Sequence, residues 1–465
     1  MTEPDSTETT DLREDARDDE YALDPEIVAA LVEAVESHDR VAALALLEDL
    51  HNADIADLLE QITSEERRAF VELLGAEIAP DVLTELEEGV RDEVLKVLDP
   101  GLIVEAAREL DTDDVVYLLS DLDEAQRKEV LDALEPADRA AISQSLTYPE
   151  YSAGRLMQRE LVKAPPFWTV GQMIDFMRAS DDLPEPFYDV ILVDPSARPI
   201  GTIPLSRIMG MSRPVTLGSI MEEDFRTLHV EDSQEDVAYA FNQYHLVSAP
   251  VVDDDGRLVG MITIDDAMTV LDEEAEEDIL RLGGVGDEEI SDRVWEITRR
   301  RFPWLAANLL TAILASAVIA IFDSTIADVV ALAVLMPIVA SMGGNAATQT
   351  MTVAVRALAT RDLTPTNAFR IIGRETMVGF ANGVAFAVLI GVAAGLFYSD
   401  WTLGSVLAAA MVINMLVAGV AGILIPIGLD RLGADPALAS GVFVTTVTDV
   451  VGFFAFLGLA AAILV

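Results

Sequence analysis

Two hydrophobic patterns divide the chain. Over residues 24–145 apolar positions recur every three or four residues between short polar turns, the period of amphipathic helices. From about residue 300 onward this gives way to long runs of Ala, Val, Leu, Ile and Gly. Five runs are long enough to cross a bilayer core: roughly 303–322, 326–354, 375–398, 402–429 and 436–464. Gly and Asn interrupt the second and third, so their limits are soft. Between the two regions an apolar strand, an Asp/Gly turn, a second strand and a helix occur twice. The copies are YDVILVDPSARPIGTIPLSRIM near 188–209 and SAPVVDDDGRLVGMITIDDAM near 248–268, and Asp194 and Gly201 precede Asp253 and Gly260 by fifty-nine residues.

Repetition also marks the helical region. LHNADIADLLEQITSEERRAFVELL at 50–74 aligns with LDTDDVVYLLSDLDEAQRKEVLDAL at 110–134, with a weaker copy, APDVLTELEEGVRDEVLKVL, between them. Repeated helix pairs predict a small α-superhelical scaffold. The α/β pair resembles tandem CBS domains, β-α-β-β-α units that usually pair into a disc and regulate an attached partner. The boundaries follow: a disordered acidic tail at 1–22, the helical repeat domain at 23–148, the two α/β copies at 149–212 and 213–272, an acidic linking helix at 273–300, and five transmembrane helices at 301–465. The fold class is a multidomain α-helical membrane protein carrying α/β regulatory domains.

Charge sets the topology. The 465 residues carry a formal net charge of −51 with a hydrophobic fraction of 51%, and residues 1 to about 300 hold nearly all the acids. Arg299, Arg300 and Arg301 precede the first span, Arg356, Arg361, Arg370 and Arg374 lie between the second and third, and Arg431 follows the fourth. The connections at Asp323–Asp328 and Tyr398–Trp401 carry no Lys or Arg. The positive-inside rule makes the N-terminal region cytoplasmic and puts the C-terminus outside a plasma membrane. No apolar h-region marks a cleavable signal peptide, and zero cysteines exclude disulfides and thiolate metal sites. Lys96, Lys128 and Lys163 are the only lysines. An acid-crowded surface with Arg in place of Lys suits a high-salt cytoplasm, that of a halophile, because salt screens self-repulsion. Acid clusters are correspondingly weaker signs of metal binding here.

The membrane region holds the chemistry. Asp449 sits alone in TTVTDVVGFFAFLGLAAAILV; from a helix start at Pro436 it lies about 20 Å along the axis. A carboxylate at that depth faces a bundle interior or a water-filled path and marks an ion route, unless it is a protonated or internally bonded structural Asp. In PIVASMGGNAATQTMTVAVRALATRDL, Gly343 and Gly344 are expected to loosen the helix while Asn345, Thr348 and Gln349 offer neutral oxygens. Irregular polar backbone at membrane depth lines a cavity or is buried in protein; a small-residue packing motif is the alternative.

YPEYSAGRLM, PWLAANLLTA, GGNAATQ and DPALASGVFVTTVTDVVG, in that order and spacing, resemble the MgtE family of magnesium channels over nearly everything after the tail. The resemblance implies a homodimer with a pore at the two-fold axis and Asp449 as principal pore ligand. Gly344, Asn345, Thr348, Gln349 and Thr448 would line the path. Two Asp449 carboxylates suit magnesium, which keeps most of its water and takes one or two carboxylates. The absence of Cys, and of His in the spans, argues against zinc or copper, leaving cobalt and manganese open. The family's intracellular magnesium sensor implies regulatory ligands at Asp81, Asp113, Glu235, Asp266, Glu274, Glu277, Asp278 and Asp435. Ala347 stands where the family pattern has glycine, and Ser233, His245 and Thr269 stand where it has acids. A nucleotide in the CBS cleft is a family possibility; nucleic acid is not an expected partner. Competing readings are a CBS-regulated anion channel, opposed by spans without Lys or Arg, and a membrane-anchored sensor, which leaves Asp449 unexplained. No nucleophile–base or nucleotide-hydrolysis motif supports an enzyme.

Overall fold

A computed structural model describes residues 23–180, 183–184, 186–285 and 294–465; the acidic tail at 1–22, and Gly286 with the rest of 286–293 in the linking segment, lie outside the described residues. The chain divides into two compact units, Met1–Leu271 and Asp272–Val465.

The first unit opens with short helices: α1 (Pro25–Glu36), α2 (Arg40–Leu47), α3 (Asn52–Gln61), α4 (Ser64–Leu74), α5 (Pro80–Glu85), α6 (Glu88–Val97), α7 (Pro100–Glu109), α8 (Thr112–Asp121), α9 (Glu124–Ala133) and α10 (Pro136–Ser145). Their apolar faces form one core in which Leu58, Leu59, Phe70, Leu74, Leu118 and Leu119 are fully buried. Short helices in pairs leave carbonyls unsatisfied at each turn, and the repeat answers with arginines. Arg67 on α4 donates to the Leu59 and Ile62 carbonyls at the end of α3. Arg127 on α9, sixty residues on, donates to the Leu119, Ser120 and Leu122 carbonyls at the end of α8. In the weaker copy between them Arg91 on α6 donates to the Leu86 carbonyl, binds Asp121 at 2.5 Å and lies 3.8 Å over the Tyr117 ring. The sequence repeat is therefore a repeat of arginine clamps, buried at Arg67 and Arg91 and half-buried at Arg127.

After α11 (Ala153–Leu156) come two three-stranded sheets. In the first, β1 (Lys163–Ala164) runs parallel to β2 (Asp189–Val193), which pairs antiparallel with β3 (Pro199–Pro204); α12 (Val170–Ala179) and α13 (Leu205–Gly210) complete it. In the second, β4 (Leu228–His229), β5 (Ser248–Val252) and β6 (Leu258–Thr263) repeat the order, with α14 (Gln234–Tyr244) and α15 (Ile264–Gly283). The copies share even their irregularities. Register shifts fall between Leu192 and Val193 and between Val251 and Val252. Asp194 takes the Ser196 and Arg198 amides, and Asp253 takes those of Asp255 and Arg257. Gly256 turns at φ +73°, and Ala197 holds the same left-handed turn at φ +62° without glycine's freedom. Gly201 and Gly260 are required by crowding: a Cβ would meet the Glu222 carbonyl at 2.9 Å in one copy and the Gln158 carbonyl at 2.8 Å in the other.

Helix α15 runs unbroken through residues 272 and 273, where the linking segment was expected to begin, and ends at Gly283. The spans follow on α16 (Val294–Ile321), then, after the short α17 (Asp323–Asp328), α18 (Ala331–Ala359), α19 (Ala368–Phe397), α20 (Trp401–Arg431) and α21 (Pro436–Ile463). Five helices among the described residues have the length and hydropathy to cross a membrane. Helix α20 is central, with about half of its span buried against α18, α19 and α21. Gly379, Gly383, Ala387, Gly391 and Gly395 repeat every four residues on α19 and meet Gly404, Ala408, Met415 and Gly419 of α20. Small residues at this spacing let backbones approach closely, and dispersion then holds the pair where lipid removes the hydrophobic drive.

One sequence expectation fails here. Helix α18 is continuous through Gly343 and Gly344, so the GGNAATQ segment is not irregular backbone. Intrahelical bonds are the cheapest way to satisfy peptide groups in lipid, and the two glycines present different faces of the helix. Gly343 faces the Asn414 side chain of α20, whereas Gly344 borders open space.

Candidate ion pathway and cytoplasmic acid cluster

In the membrane unit, Asp435 caps α21 by accepting the Ala437 amide at 2.7 Å, and Pro436 occupies the first turn, where its missing N–H costs nothing. Thirteen residues on, Asp449 is partly buried in the single chain and makes no hydrogen bond or ion pair among the described residues. Thr445 and Thr446, one turn earlier, donate back to the Gly441 and Val442 carbonyls. Thr448 turns inward: it is fully buried, and its hydroxyl is taken by the Val444 and Thr445 carbonyls. On α18, Asn345, Thr348 and Gln349 are all exposed. Their i, i+3, i+4 spacing puts them on one helix face. Ala347 is fully buried, and its carbonyl would meet a Cβ on Gly422 at 2.7 Å. An open polar stripe and a bare carboxylate at membrane depth cannot face lipid without cost.

The linking helix is fastened to the pore helix. Arg281, in the last turn of α15, binds Glu277 one turn back and Asp435 at 2.8 Å. A guanidinium thus stands between two carboxylates expected as metal ligands. Leu282 beside it packs against Ala347, Met351, Ala437 and Val444. Just past the helix end, Gly284 turns at φ +71° beside the Trp304 ring. Glu274 and Asp278 lie partly buried on the same helix.

In the cytoplasmic unit, carboxylates gather where α8 meets the second α/β copy. Asp111 precedes α8; Asp113, only 8% exposed, and Asp114 lie in its first turn, facing Asp266 in the first turn of α15. Burial first, then the charges of Asp266, Asp114 and Asp111, push the Asp113 carboxyl well up. Burial, then Asp266, Asp111, Asp81 and Asp265, push Asp114 up to about 7. Burial raises Asp266 to about 6, against the hydrogen bond it accepts from Thr263. Burial, then Glu160, Asp265 and Asp81, raises Asp111. Helix α8 is capped by Glu160, from the segment entering β1, which accepts the Thr112 amide at 3.2 Å and hydroxyl at 2.6 Å. Among the described residues no three acid or histidine groups are already posed around a metal position.

Of the predicted regulatory residues, Asp81, Asp113 and Asp266 come together here. Glu235 is exposed in the first turn of α14, taking the Ser233 hydroxyl, and does not join them. Asp111, Asp114, Asp265 and Glu160 were not singled out from the sequence. The residues standing in for family acids do local work: Ser233 caps α14, His245 closes it in a left-handed turn, and Thr269 bonds back to the Asp265 carbonyl. Between the two sheets lies a cavity of about 640 Å³ bordered by Tyr188, Asp189, Thr202, Arg226, His245 and Ser248. Ser248 donates to Asp189 at 2.7 Å, and the Arg226 guanidinium lies 4.1 Å over the Tyr244 ring.

The family model described as a divalent cation transporter, MgtE, matches residues 336–459, which hold both the polar stripe and Asp449. The model of the MgtE intracellular N domain matches 50–151, and that of the CBS domain matches 217–273. The magnesium transporter MgtE of Thermus thermophilus is 32% identical over 453 residues, 95% of this chain and 99% of that one. The chain belongs to the MgtE family. MgtE of Enterococcus faecalis is 33% identical over 69% of this chain and 71% of its own, and MgtE of Bacillus subtilis is 27% identical over 90% and 93%. Among solved structures, the cytosolic domain of the Mg2+ channel MgtE in complex with ATP aligns at a TM-score of 0.48 and 31% identity, covering 52% of this chain and 99% of that one. Magnesium is thus the transported substrate of this MgtE chain's relatives, and the chain is a multi-pass membrane protein of a transporter family rather than of an enzyme family.

Proposed function

We propose that the chain is a homodimeric, magnesium-selective channel whose closure is driven by intracellular magnesium. The bare Asp449 carboxylate carries this reading. Among the described residues of one subunit it has no partner, so a cation or a second copy is what would relieve its charge. A two-fold axis at the open α18 stripe supplies both, pairing two Asp449 carboxylates around a largely hydrated ion and covering Gly344, Asn345, Thr348 and Gln349. Two carboxylates and neutral oxygens hold hydrated magnesium strongly enough to select and weakly enough to release.

Closure follows from the cytoplasmic acids. With several carboxylates buried together, each raises the cost of the next, and a divalent cation removes that cost. Magnesium at Asp113, Asp266 and Asp81, with Asp111 and Asp114, then favours the compact assembly. Glu274, Glu277, Asp278 and Asp435 carry the effect to the pore helix, Arg281 sharing two of those carboxylates. Glu235 belongs to the sensor only if another part of the dimer reaches it. The orientation with the N-terminus inside rests on the arginine distribution. The cavity between the CBS sheets suits a nucleotide, with Arg226 near its phosphates and Asp189 near its ribose.

The test is magnesium flux in reconstituted bilayers, wild type beside Asp449→Ala, with cytosolic-side magnesium varied. Flux that needs Asp449 and falls as internal magnesium rises is the expected result. Flux indifferent to Asp449 sinks the pore assignment, and absence of flux in the wild type revives the anchored-sensor reading. Comparable manganese or cobalt flux would make the chain a broader divalent transporter.

A further inference from the structure

Asn414 lies in the middle of α20, away from the open stripe, and is fully buried. Its amide nitrogen donates at 2.8 Å to the Val339 carbonyl of α18. In a regular helix that carbonyl already accepts the Gly343 amide, so the bond ties two spans together without rescuing an orphan. The other end of the side chain, Oδ1, has no hydrogen-bond partner among the described residues. The identity of the two ends is fixed by chemistry, because an oxygen turned toward Val339 would oppose another acceptor.

Two glycines make room for this side chain. A Cβ on Gly343 would overlap the Asn414 amide. A Cβ on Gly452 of α21 would stand 2.8 Å from the same nitrogen and 3.1 Å from Oδ1. Gly343 is adjacent to Gly344 and Asn345, and Gly452 is one turn beyond Asp449. One amide is therefore wedged between the two helices that carry the ion pathway, at the level of the pathway. A leucine would fill such a space without leaving a bare acceptor, so bulk alone does not account for asparagine.

We propose that Asn414 is a positioning residue for ion transport: it sets the depth of α18 against α21, and hence of the Asn345 stripe against Asp449. Its free oxygen is an acceptor for a water at that level. The inference rests on Asp449 being the ion site, as proposed above. A misplaced Asp449 meets the hydration shell at the wrong height, so affinity and selectivity change as well as rate.

The experiment compares the full-length wild type, Asn414→Ala, Gly343→Ala, the double variant and Asp449→Asn in proteoliposomes, reading magnesium and manganese uptake per folded protein. Asn414→Ala should raise the half-saturating magnesium concentration by ~10-fold and bring the magnesium-to-manganese ratio toward one, since 1.4 kcal/mol is a tenfold change in binding. Gly343→Ala should be severe in the wild type and much milder in the Asn414→Ala background, because the three atoms nearest its methyl all belong to the missing amide. Half-saturation and selectivity unchanged in Asn414→Ala, or Gly343→Ala equally damaging in both backgrounds, would overturn the proposal. If Asn414→Ala does not fold, Asn414→Ser, which keeps a hydroxyl, and Gly452→Ala carry the same readouts. Asp449→Asn separates the two claims. Uptake that survives it sinks the pore reading, whereas uptake lost with it but unchanged in Asn414→Ala sinks this inference alone.

Discussion

The chain handles negative charge in opposite ways in its two units. Around the buried Asp113 gather Asp111, Asp114 and Asp266, and the charge of each of these three raises the cost of ionising Asp113. At Asp449 a single carboxylate stands on an apolar helix with no partner among the described residues. Crowding suits a sensor, because a proton or a cation relieves many charges at once. Isolation suits a ligand site, because only something brought to it relieves the charge. On the proposed function the same side chain serves regulation in numbers and permeation alone.

Removing the lone charge is expected to have the largest effect. Asp449→Ala should lower magnesium flux by ~100-fold or more while leaving the purified protein's size and helicity unchanged. Retained flux would erase the contrast, since the membrane acid would then be as dispensable as any one member of the cluster. A structural effect of similar severity is expected at Gly404→Val. Its Cβ would overlap the Gly391 carbonyl on the close-packed α19–α20 face, forcing the helices apart at a cost of about 1–3 kcal/mol. A lower thermal unfolding temperature in detergent checks this, and an unchanged one would show that the small-residue stripe is not what holds the bundle.

The cluster should respond to pH where Asp449 does not have to. Its acids have folded pKa values above the ordinary carboxylate value, Asp114 at about 7 and Asp266 at about 6. Protonation is therefore easier in the docked state than in a separated one. Docking without magnesium should be tightest below about pH 4 and weaken steadily as the pH rises to about 7. Saturating magnesium should flatten the dependence. Asp113→Asn with Asp114→Asn should flatten it too and raise the magnesium needed for closure by ~10-fold. Protease sensitivity of the full-length protein across that range reads docking directly. Docking that instead strengthened with pH would mean the acids are paired with cationic groups, and the crowding account would fail.

The two regions also differ in how readable they were. The five spans, the helical repeat and the paired α/β units were legible, because each rests on a period that sequence displays. Asp449 was legible for its rarity: one acid in a long apolar run has few explanations. Asp111, Asp114, Asp265 and Glu160 were not, since an acid-rich cytoplasmic region gives every carboxylate the same appearance and only their proximity in the fold separates them. The DTDD run opening α8 held a partial signal, acids in a helix's first turn, but that is equally a capping pattern. Gly343 was misread for a similar reason. Glycine in a span signals either loosening or close approach, and the choice depended on Asn414, seventy-one residues away, which sequence does not pair with it.

Arg281 marks the place where the two strategies meet, and its removal should have the smallest effect. It binds Glu277 on the linking helix and Asp435 at the cap of the Asp449 helix, with about 29% of its side chain exposed. A fixed cation there does what a bound magnesium would do between the same two carboxylates, but it is permanent. Partial exposure limits its worth to about 1 kcal/mol, a roughly fivefold bias between latched and released forms. Arg281→Ala therefore frees two carboxylates to take magnesium themselves. Two consequences oppose each other: the latch weakens at low magnesium, and a stronger divalent site appears at high magnesium. The expected outcome is a steeper closure curve, with more flux below the midpoint and little change above it. Arg281→Lys, which keeps the charge but not the two-pronged geometry, should fall between. A parallel shift of the whole curve, with its slope preserved, would mean that Arg281 only braces the helix and that magnesium never competes for its partners.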